Sequence, residues 1–212
     1  MKPLFALRFL FFLFSLFVLF VPGLPSTGFS AQPVERIAAT VNGRIIFLSD
    51  LDRYQAFFSN PTDTAGDPKK TLDRVIDNRL LQAEAHRFVF QAPTDAEVSQ
   101  RVKAIRDRFK TEAAYEEALQ RTGLSPDELK EETREQLWAE RLLQERIYSF
   151  VFVSQKEVTR YYQEHLSEFS GKRQEEVEPM IRKKLTDEKR TTKETEYLAR
   201  LRSHAELQVN LQ

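Results

Sequence analysis

Helix-start signals recur along this chain and leave little room for any fold that is not mainly α. Thr94 with Glu97 three residues on is a capping box, in which each side chain satisfies a backbone N–H left open at a helix start. Ser125-Pro126-Asp127-Glu128 supplies an N-cap, a proline at the first helical position and a second box. Ser154 opens a further helix to about Phe169. Val98, Val102, Ile105 and Phe109 form one narrow apolar stripe, and a short helix from Glu112 to Arg121 stops at Gly123. The helix from Pro126 is expected to reach about Phe150. A last one covers 175–204, with Pro179 near its start or at a kink.

Earlier in the chain, residues 69–90 read as a long helix. Leu72, Val75, Ile76, Leu80, Leu81, Ala83, Ala85 and Phe88 spread round most of its circumference, which places it at the centre of the bundle. Ser49 is expected to cap a helix ending near Phe58, with Asp50 and Asp52 in its first turn near the positive end of the dipole. Ser59 to Pro68 reads as a loop. From Leu185 to Tyr197 no apolar residue occurs, so that stretch is expected to be solvated and to fray.

Two segments break the helical pattern. Ile37, Ala39 and Val41 alternate before Asn42-Gly43, and Ile45 and Phe47 alternate after it. Asn-Gly is the two-residue signal for a type I′ hairpin, whose central positions both need φ > 0. The tail Glu206 to Leu211 also alternates, and its obvious partner is that hairpin. The expected architecture is a mainly α bundle of about six helices with a small antiparallel sheet formed by the N-terminal hairpin and the C-terminal strand.

Among the 212 residues, 32 Lys and Arg balance 32 Asp and Glu, so no net positive field collects nucleic acid. The absence of Cys excludes thiol nucleophiles, disulfides, Cys zinc sites and iron–sulfur clusters. His86, His165 and His204 have no metal-ligand spacing and read as surface or satisfied side chains. No phosphate loop, GxSxG or SxxK motif occurs, so no cofactor, metal or catalytic residue is expected.

Eight of the seventeen Phe lie in residues 1–31, where Lys2 and Arg8 are the only charges. Phe9 to Val21 is an unbroken apolar or small run, followed by Pro22-Gly23-Leu24-Pro25-Ser26-Thr27-Gly28. A positive start, short apolar core and small residues describe a secretory signal peptide, whose removal leaves a mature chain beginning between residues 24 and 32. As a helix the run reaches about 20 Å against a hydrocarbon core of about 30 Å, and the alternative is a retained membrane anchor. Removal of residues 1–31 leaves 30 basic against 32 acidic residues in a periplasmic chain, with no membrane contact expected thereafter.

The candidate binding residues are apolar side chains that one face cannot absorb. On the Pro126 helix, Leu129, Ala139, Leu143, Ile147 and Phe150 define one face, while Trp138 and Leu142 lie nearly opposite. Such a helix either sits inside a core or presents one face to a partner. Phe57-Phe58 and Tyr161-Tyr162 raise the same question, since one residue of each pair faces away from the interior. Trp138, Leu142, Phe57, Phe58 and Tyr161 are therefore the candidate client-binding residues.

The chain also resembles the SurA N-terminal-domain family of parvulin-linked periplasmic foldases. The resemblance rests on VERIAATVNGRIIFLSDLDR at 34–53, DRVIDNRLLQAEAHRF at 73–88 and PTDAEVSQRVKAI at 93–105. VSQKEVTRYYQEHLSEF at 153–169 and YLARLRSHAELQVNL at 197–211 extend it. In that family one or two parvulin isomerase domains usually follow the segment that here ends at Phe169, whereas here only Ser170-Gly171-Lys172 precedes the closing helix. The resemblance implies a chaperone domain over 32–212 with the parvulin domain absent at about 170–173. Such a domain would be no enzyme, and would bind unfolded or extended segments of exported or outer-membrane proteins without ATP. The alternative is a non-catalytic subunit that binds one folded partner or forms a homodimer.

Overall fold

The structure is a computed structural model that describes residues 35–59, 67–88 and 91–211. The expected signal peptide lies outside the described residues, as does most of the expected loop before Pro68. Ile37–Val41 (β1) and Arg44–Phe47 (β2) form the hairpin, followed by Leu48–Phe57 (α1), Pro68–Arg87 (α2), Asp95–Arg106 (α3) and Glu112–Thr122 (α4). Pro126–Arg146 (α5) leads through a 3-10 turn at Tyr148–Phe150 to Gln155–Glu164 (α6). A second 3-10 turn at Leu166–Phe169 precedes Gln174–Ser203 (α7) and Leu207–Val209 (β3). The described residues thus contain seven α-helices and one three-stranded sheet, and the expected mainly α class with a terminal sheet holds.

The sheet brings the two ends of this unit together. Its order is β2-β1-β3, all antiparallel, with Ala39 opposite Val209 and Val41 opposite Leu207. Asn42 (φ 49°) and Gly43 (φ 77°) take the left-handed backbone the tight turn demands. Asn42 also receives the returning strand. Its N–H donates to the Glu206 carbonyl at 2.9 Å, and its side-chain oxygen accepts from the Glu206 N–H at 2.9 Å. Arg202 guides that return by donating to Asp77 at 2.6 Å and to the Asp73 carbonyl at 2.9 Å.

The expected capping boxes form: Thr94 with Glu97, Ser125 with Glu128, and Ser154, which closes a box with Glu157. Ser49 does not cap α1, because β2 runs straight into the helix and Phe47 is the N-cap. The Asp50 carboxylate accepts from the Phe47 N–H at 2.9 Å, and Ser49 instead donates to Glu35 at 2.8 Å. Asp67 caps α2 and Pro68 occupies its first position, so two residues read as loop are the helix start. The Pro126 helix ends at Arg146, short of Phe150, in a tighter turn. Likewise α6 stops at Glu164 before the turn that carries Phe169 inward.

The packing resolves the two-faced helix. Leu72, Val75, Ile76, Leu80, Leu81 and Ala85 of α2 are buried on several sides, as expected of a central helix. Leu81 and Ala85 meet Ala139, Leu142 and Leu143 of α5 in one cluster. The other flank of α5 meets α3, where Arg101 grips Glu140 at 2.6 Å and Arg141 grips Glu97 at 2.7 Å. Helix α5 lies between two neighbours, and Leu142 shares the α2 cluster with Ala139 and Leu143 of the other apolar face. Phe57, Tyr115, Leu119 and Leu129 form a second cluster, and Val153, Val158, Phe169, Val177 and Ile181 a satellite cluster under α6.

Helix α7 bridges these clusters. Val177 and Ile181 at its start belong to the satellite, while Tyr197, Leu198 and Leu201 near its end pack on the α2–α5 cluster. The middle does not fray, and the helix runs unbroken through the stretch without apolar residues. Lys183–Asp187 (2.7 Å) and Lys193–Glu196 (2.8 Å) pair along it, and the hydroxyls of Thr191, Thr192 and Thr195 donate to carbonyls one turn back. Such exposed pairs contribute only about 0.3–0.5 kcal/mol each, so the helix is held by its packed ends. Pro179 lies inside it, in the second turn.

Leu142 has no exposed surface. Leu142→Ala is therefore expected to cost about 2–5 kcal/mol in unfolding free energy, measured by urea denaturation.

Candidate functional site

Where α7 crosses its bare middle, the connection from α5 to α6 runs beside it and leaves an open groove of about 610 Å³. One wall is apolar and consists of Ile147, Phe150, Val151 and Phe152, with Leu185 of α7. The other wall is polar, from Glu188, Lys189, Thr192, Lys193 and Glu196. Phe150 is 79% exposed and Phe152 75% exposed, the two most exposed large apolar side chains among the described residues. Two large aromatic rings left in water beside a concave apolar wall make this groove the candidate interaction surface.

The strap carrying these rings, residues 147–154, is pinned to α7 by polar contacts. At its start the Tyr148 hydroxyl donates to Glu194, and the Arg190 guanidinium lies 5.3 Å from the Tyr148 ring centre. Burial, and then the bond to Glu194, pushes the Tyr148 phenol well above its usual range, so it stays a donor. At its end, Lys189 donates to the Phe152 carbonyl (2.8 Å) and Arg182 to the Val153 carbonyl (2.7 Å). Lys189 also meets Glu157 at 2.7 Å. Glu157 in turn accepts from the Ser154 N–H and hydroxyl, each at 2.9 Å. The Lys189 hydrogen bond, then those from Ser154, hold the Glu157 carboxyl at about 2.

The five sequence candidates are not assembled into one surface. Leu142 and Phe57 are core, at 0% and 1% exposed, and have no surface to offer a client. Leu142 is covered because α2 packs against it, and Phe57 because its ring meets Phe109 (5.9 Å) and Tyr115 (6.3 Å). Phe58 is half-buried on a separate cavity beside Arg101 and Arg108. Trp138 is half-buried with its ring 4.1 Å from that of His86. Tyr161 is half-buried and stacks on His165 at 4.0 Å, and both it and Tyr162 lean on Phe169. Phe150, expected on the core face, is instead the most exposed of all, because the helix stops at Arg146 and the turn swings it outward. The overlooked signal was the alternation Phe150-Val151-Phe152-Val153, which buries Val153 and exposes the two rings.

The histidines are accounted for. His86 meets Glu135 at 2.8 Å, while the Nδ1 atoms of His165 and His204 donate to the Tyr161 and Arg200 carbonyls. No group of three or more potential metal ligands converges among the described residues, and none of their helices is long and apolar enough to cross a membrane. The second 3-10 turn ends at Phe169 and α7 starts at Gln174, so only residues 170–173 connect them.

The described residues therefore form a helical unit closed by a terminal sheet, with an open, partly apolar groove beside its longest helix. A profile of the SurA-like N-terminal domain matches residues 2–143, and the chain belongs to that family. No curated protein sequence matches it. Among solved structures, one from work on PEB4 and Cj1289, described as two SurA-like chaperones of Campylobacter jejuni, shares the fold. That likeness has a TM-score of 0.50 at 14% identity, and covers 82% of this chain and 98% of the other. The family match stops at Leu143, before the strap, α6 and α7.

Glu157 gives the site a pH signature. A carboxyl depressed from 4.5 to about 2 adds stability above the higher value, and that stability is lost as pH falls towards the lower one. Between those values Glu157→Gln is expected to lose less stability on acidification than the parent, measured by denaturation at several pH values.

Proposed function

We propose that this protein is an ATP-independent periplasmic chaperone that binds unfolded or extended segments of exported and outer-membrane proteins. Residues 1–31 act as its export signal and 32–212 as the chaperone domain. The observation that carries the reading is the open groove with Phe150 and Phe152 exposed at its mouth. Membership of the SurA-like N-terminal family and the shared fold with a SurA-like chaperone structure support it. The groove has the character such work requires. Its apolar wall gives affinity without sequence specificity, and its polar wall tolerates the hydrophilic side chains of an amphipathic client. Binding and release are passive, so affinity is expected to be modest, near micromolar, roughly −8 kcal/mol.

The short connection from Phe169 to Gln174 supports a chaperone without a parvulin module, and hence without isomerase activity. Phe58, Trp138 and Tyr161, each part-exposed, are secondary candidates for client contact; Leu142 and Phe57 are not.

The mature chain is expected to slow aggregation of unfolded outer-membrane proteins of unrelated sequence. Failure on all of them, with tight binding to one folded protein, would favour a dedicated interaction subunit. Replacing both Phe150 and Phe152 by Ala is expected to change folding stability by less than about 1 kcal/mol, since exposed side chains leave no cavity. Client binding is expected to weaken about tenfold or more, the scale of losing an aromatic anchor. A prolyl isomerisation assay on the purified chain is expected to stay at background, and an enzyme-dependent rate would overturn the non-catalytic reading.

A further inference from the structure

We propose that Lys189 is a positioning residue for the client groove: its ammonium holds the Phe152 main chain against α7, so that the Phe150 and Phe152 rings stay fixed at the mouth. The inference rests on the groove's being the client surface, and it names what sets the shape of that surface.

Apolar packing cannot fix the strap at this point. The two rings are mostly in water, and α7 offers no apolar side chain between Leu185 and Tyr197. Lys189 sits in that stretch and reaches the Phe152 carbonyl at 2.8 Å and the Glu157 carboxylate at 2.7 Å. One ammonium therefore joins three elements: α7, the strap and the start of α6. Gripping a main-chain oxygen leaves the side chain at the same residue free, which is why Phe152 can be held and 75% exposed together. Glu157 makes the grip rigid, because its Oε2 is committed to Ser154 at 2.9 Å while Oε1 faces Lys189. Arg182, seven residues earlier and so on the same side of α7, holds the next carbonyl at Val153. Val153 is buried, so that neighbouring anchor has packing behind it, whereas Phe152 is mostly exposed and has little. An ordered pair of rings binds better than a mobile pair, because the ordering cost is already met before the client arrives.

The test is a binding titration of the mature chain against a urea-unfolded, fluorophore-labelled outer-membrane β-barrel protein, with a thermal melt of each variant. Lys189→Met keeps the apolar stem and removes the ammonium, and Lys189→Arg keeps a charged donor. Lys189→Met is expected to weaken binding about fivefold or more while melting falls only by the loss of one exposed ion pair, that with Glu157, and Lys189→Arg to recover most of both losses. In the background where Phe150 and Phe152 are both Ala, Lys189→Met is expected to add nothing, because its effect runs through those rings. Unchanged binding by Lys189→Met overturns the proposal. An undiminished loss in the Ala background overturns it too, by showing that Lys189 touches the client directly, and so does an equal loss by Lys189→Arg. If the double Ala variant itself binds like the parent, the groove is not the client surface. That failure of the underlying reading is told apart by the aromatic pair alone.

Discussion

The architecture depends on one long helix having apolar residues only at its two ends. Helix α7 buries Val177 and Ile181 in the satellite cluster and packs Tyr197, Leu198 and Leu201 against the α2–α5 cluster, with about three turns of polar surface between. It therefore acts as a strut between two cores. The strap crossing the bare middle has nothing apolar on the helix to sink into beyond Leu185. The strap's own apolar residues must divide: Val153 turns into the satellite core, and Phe150 and Phe152 are left outside.

Polar contacts then do what packing cannot. Tyr148 with Glu194, Lys189 with the Phe152 carbonyl and Arg182 with the Val153 carbonyl run along the strap in order. Surface ion pairs are individually weak in water. These differ because each ties main chain or a half-buried phenol, and because Lys189 and Glu157 share partners in a connected network. A groove held in this way keeps a fixed shape while its aromatic content remains available.

The strut also links groove to sheet. Beyond its second packed end, α7 delivers Arg202 to Asp77 and β3 to β1, where Asn42 receives Glu206. The hairpin, the central α2 and the closing strand thus form one framework around Ala39, Val41, Ile46 and Ile76. The groove lies at the other junction, between the α2–α5 core and the satellite. The family match ends before it, so the groove wall formed by the strap and α7 belongs to the part of the chain that the shared profile does not describe.

Local chemistry was enough for much of this. The capping boxes at Thr94, Ser125 and Ser154, the Asn42-Gly43 turn and the alternating tail are short-range patterns with one low-energy solution each, and each forms where it was read. The ring of apolar residues on α2 likewise required burial on many sides. The sequence could not say which neighbours would cover a two-faced helix. Leu142 and Phe57 became core because α2 and the α3–α4 turn lie against them, and a periodicity cannot distinguish a packing partner in the same chain from one outside it. Nor could it place Phe150, whose helical phase predicted burial, because the helix stops at Arg146 for reasons set by how α5 meets the strap. Residue patterns determined which segments become helix and strand. Tertiary structure alone decided which apolar side chains stay in water, because exposure depends on what the rest of the chain has left uncovered.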